Sequence, residues 1–165
     1  AYSVKGLRFK ERPFLDSITS STHFVSPAVF GLALAAVTPS WSLIALLIAY
    51  FLWGAASHAF GAVQDVQADR DAGIGSIATV IGARATVRLS MGLYLLAGVL
   101  LLFTSWPGPL AAVLVLPYAV NVAPWWNVFD ADAAAANRGW RRFLWLNFVT
   151  GFMVTMLLIA WVLRW

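Results

Sequence analysis

The sequence predicts an all-α membrane protein of about five transmembrane helices, on three observations: how apolar the chain is, how its apolar residues group, and where its bases fall. Of 165 residues 61% are hydrophobic and 11% charged, and the mean hydropathy is +0.80. An ordinary soluble domain carries roughly 25% charged residues. Seven acids and eleven bases cannot clothe a water-soluble domain of this length, so apolar side chains must face lipid. The chain has no cysteine, which excludes disulfides and thiolate zinc sites, and its two histidines are too few for a metal box.

Crossing the bilayer takes roughly 17 to 25 apolar residues. Runs that qualify lie at 20–37, 41–63, 89–106, 110–129 and 143–163. Thr38-Pro39-Ser40 and Pro107-Gly108-Pro109 break the chain between neighbouring runs, which predicts helical hairpins there. There is no heptad stripe, internal repeat or low-complexity linker, so residues 1–165 form a single membrane domain, with 1–19 and 64–88 as polar segments outside the hydrocarbon. The chain begins without Met, and its first 19 residues lack the apolar run of a signal peptide. Further chain upstream is therefore expected.

Short cytoplasmic loops are enriched in Lys and Arg. Lys5, Arg8, Lys10 and Arg12 precede the first run, Arg70, Arg84 and Arg88 lie between the second and third, and Arg138, Arg141 and Arg142 between the fourth and fifth. With an inside N-terminus and an outside C-terminus, ten of the eleven bases are cytoplasmic and only Arg164 is not. The cell membrane is the expected location. The pI near 10.0 then follows from topology and attraction to anionic membrane lipid. No nucleic-acid motif is visible, so no nucleic-acid partner is expected.

All seven acids fall on the same cytoplasmic side, most densely at Asp65, Asp69 and Asp71 where the second run leaves the membrane. If the helix continues there, Asp65 and Asp69 stand at i and i+4 on one face. Two carboxylates about 6 Å apart repel by roughly 0.7 kcal/mol in water and about 3 kcal/mol at an effective dielectric of 20. Such a pair wants a cation, and an all-oxygen site suits Mg²⁺, which takes one or two carboxylates and fills its shell with water and substrate phosphates. The bland alternative is that these acids mark the membrane edge, paired with Arg70 and screened by water.

The stretch from Asp65 to Gly82, D-V-Q-A-D-R-D-A-G-I-G-S-I-A-T-V-I-G, resembles the second aspartate-rich motif of UbiA-type intramembrane prenyltransferases. That motif is D-x-x-x-D, a Gly about four residues on, a Ser/Thr-containing stretch and another Gly, here Asp65, Asp69, Gly73, Ser76 to Thr79, and Gly82. Tyr2-Ser3 followed by Arg8 and Lys10 resembles the family's Tyr-Ser plus basic segment before the fifth of nine helices. The resemblance covers essentially the whole chain as the C-terminal part of a nine-helix bundle. Residues 53–79 and 137–147 are most similar to the bacterial lycopene elongase branch.

The resemblance implies Mg²⁺-dependent transfer of a prenyl group, dimethylallyl in that branch, from its diphosphate to a lipid-soluble acceptor, a carotenoid such as lycopene. By match of motif, Asp65 and Asp69 would be the catalytic acids and metal ligands, with Asp71 a further ligand candidate. Tyr2, Ser3, Arg8, Lys10 and Arg70 would line the diphosphate. The family's first motif, of the N-D-x-x-D-x-x-x-D kind, is not among these residues, so the chain is expected to be inactive alone and to need an N-terminal half or a complementary subunit. The base that many members carry near Gly75 is also missing here. The other readings are transfer to a quinone precursor or another aromatic acceptor, and a non-catalytic membrane subunit with a cation-binding acidic loop.

Remaining polar and aromatic residues have plainer expectations. Trp41, Trp106, Trp140 and Trp165 lie near run boundaries, as aromatic belts do. Asn121 suits either a cavity or a helix-to-helix bond. His58 beside Ser57 lacks an acid in sequence to orient it, which points to packing. Asp130 and Asp132 beside Arg138, Arg141 and Arg142 read as a solvated loop network.

Overall fold

A computed structural model of the chain describes residues 4 and 6–163. Six α-helices carry the fold: α1 (Leu15–Leu34), α2 (Trp41–Val63), α3 (Val66–Asp71), α4 (Ile77–Leu101), α5 (Leu116–Val122) and α6 (Asn137–Leu163), with short 3₁₀ turns between them and no strand among the described residues. This is the all-α membrane architecture that the composition predicts.

Four segments are long and apolar enough to cross a membrane, Trp41–Val63, Ile77–Leu101, Gly108–Trp125 and Asp130–Leu163. The first expected span forms α1, a 20-residue helix, but does not join the four. Asp16, Ser17, Thr19, Ser20, Ser21, Thr22 and His23 fill its first half and dilute its apolarity. The third span starts well before Leu89, because Ser76 and Thr79 form a capping box that nucleates α4 at Ile77. In the fourth, Pro109, Pro117 and Pro124 each withhold a backbone N–H. The segment is accordingly a 3₁₀ stretch from Gly108 to Val115, the seven-residue α5 and a closing 3₁₀ turn at Ala123–Trp125. At the first hairpin Ser40 caps α2 by accepting the Leu43 N–H at 3.2 Å.

The most extensive helix contact is α2 against α4, and Ala49 and Ala56 of the first share one buried cluster with Ala83, Val87, Tyr94 and Ala97 of the second. Lipid chains are as apolar as these side chains, so close backbone approach through small residues is what holds such helices together. At Gly54 the same logic joins α1 to α2: a Cβ there would lie 2.6 Å from Ser21 Oγ, whose hydroxyl donates to the Phe51 carbonyl. Gly139 of α6 lies under Phe60 and Trp125, where a Cβ would come within 2.8 Å and 2.7 Å.

An aromatic stack runs through the interior, from Tyr94 to Tyr118 (5.4 Å), Phe143 (5.8 Å) and Trp140 (4.8 Å), with Trp53 against Tyr118 and Phe143. Trp140 thus belongs to the packing between α2 and α6, over Gly61, while Trp41 and Trp106 are exposed at helix ends as a belt requires. Trp165 lies outside the described residues. Of the two uses open to Asn121, helix bonding is realised, its Nδ2 donating to Gly139 O at 2.9 Å. On the far side, α6 exposes Trp145, Phe148, Phe152, Leu158 and Trp161.

Candidate active site at one end of the bundle

Polar joints concentrate at one end of the bundle. The α2 helix ends at Val63 and the chain restarts as α3, so the continuous helix imagined through the acid cluster is interrupted at Gln64 and Asp65. The one-turn relation survives, because the Asp69 N–H donates to the Asp65 carbonyl at 2.8 Å. Asp65 occupies the N-cap position of α3 without using its side chain to cap, and its carboxylate stays exposed while Asp69 is half-buried. Desolvation raises the Asp65 carboxyl above the ordinary range, opposed by a hydrogen bond from Gln64. Desolvation and then the Asp65 charge raise Asp69, opposed by a hydrogen bond with Ser76. Two accessible oxygen-only donors that repel each other fit a hard divalent ion completed by phosphate oxygens.

The other acids and bases sort differently. Asp71, two residues past Asp69 and so off its face of α3, accepts from Gln67 Nε2 at 3.3 Å. Among the described residues no group of three His, Asp or Glu side chains is placed to hold a metal. Arg70 turns from the pair: Nη1 donates to Asp130 Oδ2 at 2.6 Å, and Nε and Nη2 to the Thr79 carbonyl at 3.2 and 3.0 Å. Asp130 Oδ1 in turn accepts the Ala83 N–H at 2.7 Å. Asp130 is therefore the partner of Arg70 and α4, in place of the network with Arg138, Arg141 and Arg142 expected from proximity in sequence. Between these contacts Gly82 sits at φ 81°, where a Cβ would also press on Asp130 Oδ1 at 3.3 Å.

Arg8 pairs with Glu11, Lys10 is exposed, and Tyr2 and Ser3 lie outside the described residues. The missing base at Gly75 has a steric reason: a Cβ there would meet the Glu11 carbonyl oxygen at 2.5 Å and Pro13 Cδ at 3.2 Å. The basic segment is packed directly on the turn that follows the acid pair. Asp16, to which the sequence reading assigns nothing, is wholly buried beside this contact and accepts the Ile77 N–H through Oδ2 at 3.0 Å. Asp16 also reaches His58 electrostatically, so His58 does have an acid nearby. Ser57 is bonded elsewhere, to Trp53 O at 2.7 Å and Tyr94 OH at 3.0 Å, and no Ser-His pair forms between them.

A helical membrane bundle with a D-x-x-x-D turn at its edge, beside a basic segment, agrees with the resemblance drawn from the sequence. Residues 1–149 match the UbiA prenyltransferase family, and the chain belongs to that family. It is 52% identical over 160 residues to a lycopene elongase/hydratase of Corynebacterium glutamicum, covering 97% of this chain and 56% of that protein. It is 54% identical over 166 residues to the C(50) beta-cyclic carotenoids biosynthesis protein LbtBC of Dietzia sp., covering 100% of this chain and 38% of that one. A lycopene elongase/hydratase of Haloarcula japonica is 31% identical over 134 residues, covering 76% of this chain and 45% of its own. The chain spans about half the length of the curated relatives it matches. No solved structure matches it.

Proposed function

We propose that the chain serves the Mg²⁺-dependent transfer of a dimethylallyl group from its diphosphate to a lipid-soluble acceptor, lycopene, in carotenoid biosynthesis. The observation that carries this reading is the 52% identity, over 97% of the chain, to a protein described as a lycopene elongase/hydratase. The mutually repelling Asp65, exposed, and Asp69, half-buried, support it chemically.

Asp65 and Asp69 would hold Mg²⁺, which when bound would neutralise charge that gathers on the departing diphosphate. Arg8 and Lys10, with Tyr2 and Ser3, line the other side of that diphosphate at the cytoplasmic face. Arg70, held by Asp130 and the Thr79 carbonyl, fixes the turn in place of contacting the diphosphate, and Asp71 lies off the ligand face. As the carbon–oxygen bond breaks, its electron pair leaves with the diphosphate. The end double bond of the acceptor then supplies the pair for the new carbon–carbon bond. The resulting cation is resolved by losing a proton or by taking up water with loss of a proton. The apolar helices exclude water from the allylic carbon until the bond has formed. A second acid-rich segment, on further chain or a complementary subunit, completes the diphosphate site.

Expression of the gene in a lycopene-producing host, followed by mass analysis of the pigments, tests the reading. Products heavier by one or two five-carbon units are expected. Unchanged lycopene, with prenylation of an aromatic acid or naphthoate instead, overturns the acceptor assignment. No prenylated product of either kind overturns the transferase reading in favour of a cation-binding subunit.

A further inference from the structure

Asp16 has 0% of its surface exposed, and no step proposed above uses it. Burying a carboxylate is costly unless its partners compensate. Its Oδ2 accepts the N–H of Ile77, the first residue of α4 and one of the donors that a helix start leaves unpaired. Its Oδ1 is buried without a hydrogen-bond partner. The helix that carries Asp16 begins only at Leu15, and the Asp16 N–H is bonded to the Arg12 carbonyl at 2.9 Å, so the carboxylate is fixed to the segment that holds Arg8 and Lys10.

A second, steric contact joins the same two stretches of chain. Gly75, two residues before Ile77, lies so close to the Glu11 carbonyl and Pro13 that a methyl group there would overlap at 2.5 Å. Residues 11–16 are thus fastened to residues 75–77 by one hydrogen bond and one backbone-tight packing contact. Upstream of the fastening lie the bases, and upstream of Gly75 lie Asp65 and Asp69, with Ser76 hydrogen-bonded to the Asp69 side chain.

We propose that Asp16 is a positioning residue: its carboxylate ties the start of α1 to the start of α4, and so holds the basic segment and the Asp65–Asp69 turn as one rigid unit at a set separation. What the two halves bind rests on the proposed function, whereas the coupling does not. An Asn at this position still offers an oxygen to the Ile77 N–H. An Ala does not.

These 165 residues contain no cysteine, and any cysteine that the gene encodes outside them is replaced by Ser before labelling. Spin labels at Arg12→Cys and Ala72→Cys, both exposed positions, are placed in the protein as its gene encodes it, in lipid nanodiscs. The parent should give one narrow distance distribution, Asp16→Ala a broad and longer one, and Asp16→Asn the parent's. Gly75→Ala should broaden it with Asp16 intact, which keeps the test open if Asp16→Ala fails to fold. Pyrophosphate affinity in the presence of Mn²⁺ should fall about tenfold in Asp16→Ala and recover in Asp16→Asn. Thermal unfolding of Asp16→Asn should match the parent's. Unaltered distances in Asp16→Ala and Gly75→Ala overturn the proposal, as does an Asp16→Asn protein that loses the parent distance. Distances that broaden as expected in a protein that never binds pyrophosphate sustain the coupling and remove the functional reading instead.

Discussion

Among single residues, Asp65 and Asp69 are the ones on which the proposed function rests. Asp65→Asn and Asp69→Asn should each lower turnover by roughly two to three orders of magnitude, since each removes a charge that anchors the ion against the diphosphate, while Asp132→Asn should change it less than about threefold. Steady-state rates in membranes, with the chain as its gene encodes it, check this. Because both carboxyls are raised above the ordinary range by desolvation, and Asp69 further by Asp65, protons compete with the ion at pH values where a free aspartate has already ionised. Mg²⁺ affinity should therefore climb with pH through the range just above the ordinary carboxylate value and then level off, a trend that Mn²⁺ titration at several pH values reads directly. The pair draws notice in the sequence less by its spacing, which is common on solvated helices, than by the Gly and Ser/Thr positions that follow it up to Gly82. Asp16 draws none, because its partner is a main-chain N–H 61 residues away, which leaves no trace in a pattern of side chains. Gly75 shows the same limit: only the approach of the Glu11 carbonyl explains why a side chain is excluded there.

Among the elements, α2 and α6 fell largely where apolar run length put them, and the others departed for identifiable reasons. A capping box moved the start of α4, three prolines broke the fourth run into 3₁₀ and α pieces, and hydroxyl-rich sequence left α1 short of spanning apolarity. What run lengths cannot convey is which loops meet. The Arg70–Asp130 bridge, 37% and 34% exposed, joins the last turn of α3 to the segment before α6. Arg70→Ala and Asp130→Ala should each lower thermal stability, Asp130→Ala more because it also strips the Ala83 N–H of its acceptor. A double-mutant cycle should return a coupling near 1 kcal/mol. Full additivity would mean that the bridge does not hold the turn.

For the whole molecule, the split of bases predicts an orientation, and the contacts gather the acid turn, the basic segment and the 127–137 stretch at one end. Reporter fusions should place Gly73 and Ala135 on the cytoplasmic side and the C-terminus outside. Gly73 found outside would reverse the orientation and move the proposed diphosphate site to the wrong face. The left-handed backbone at Gly82 governs how this end relates to the rest. It divides α4 into a five-residue collar, 77–81, and a membrane-crossing rod, 83–101. The bend is braced across both pieces, because Arg70 donates to the Thr79 carbonyl of the collar while its partner Asp130 accepts the Ala83 N–H at the head of the rod. The collar is thus a braced elbow: it sets the direction of the acid turn independently of the rod, whose own direction is set by its packing on α2.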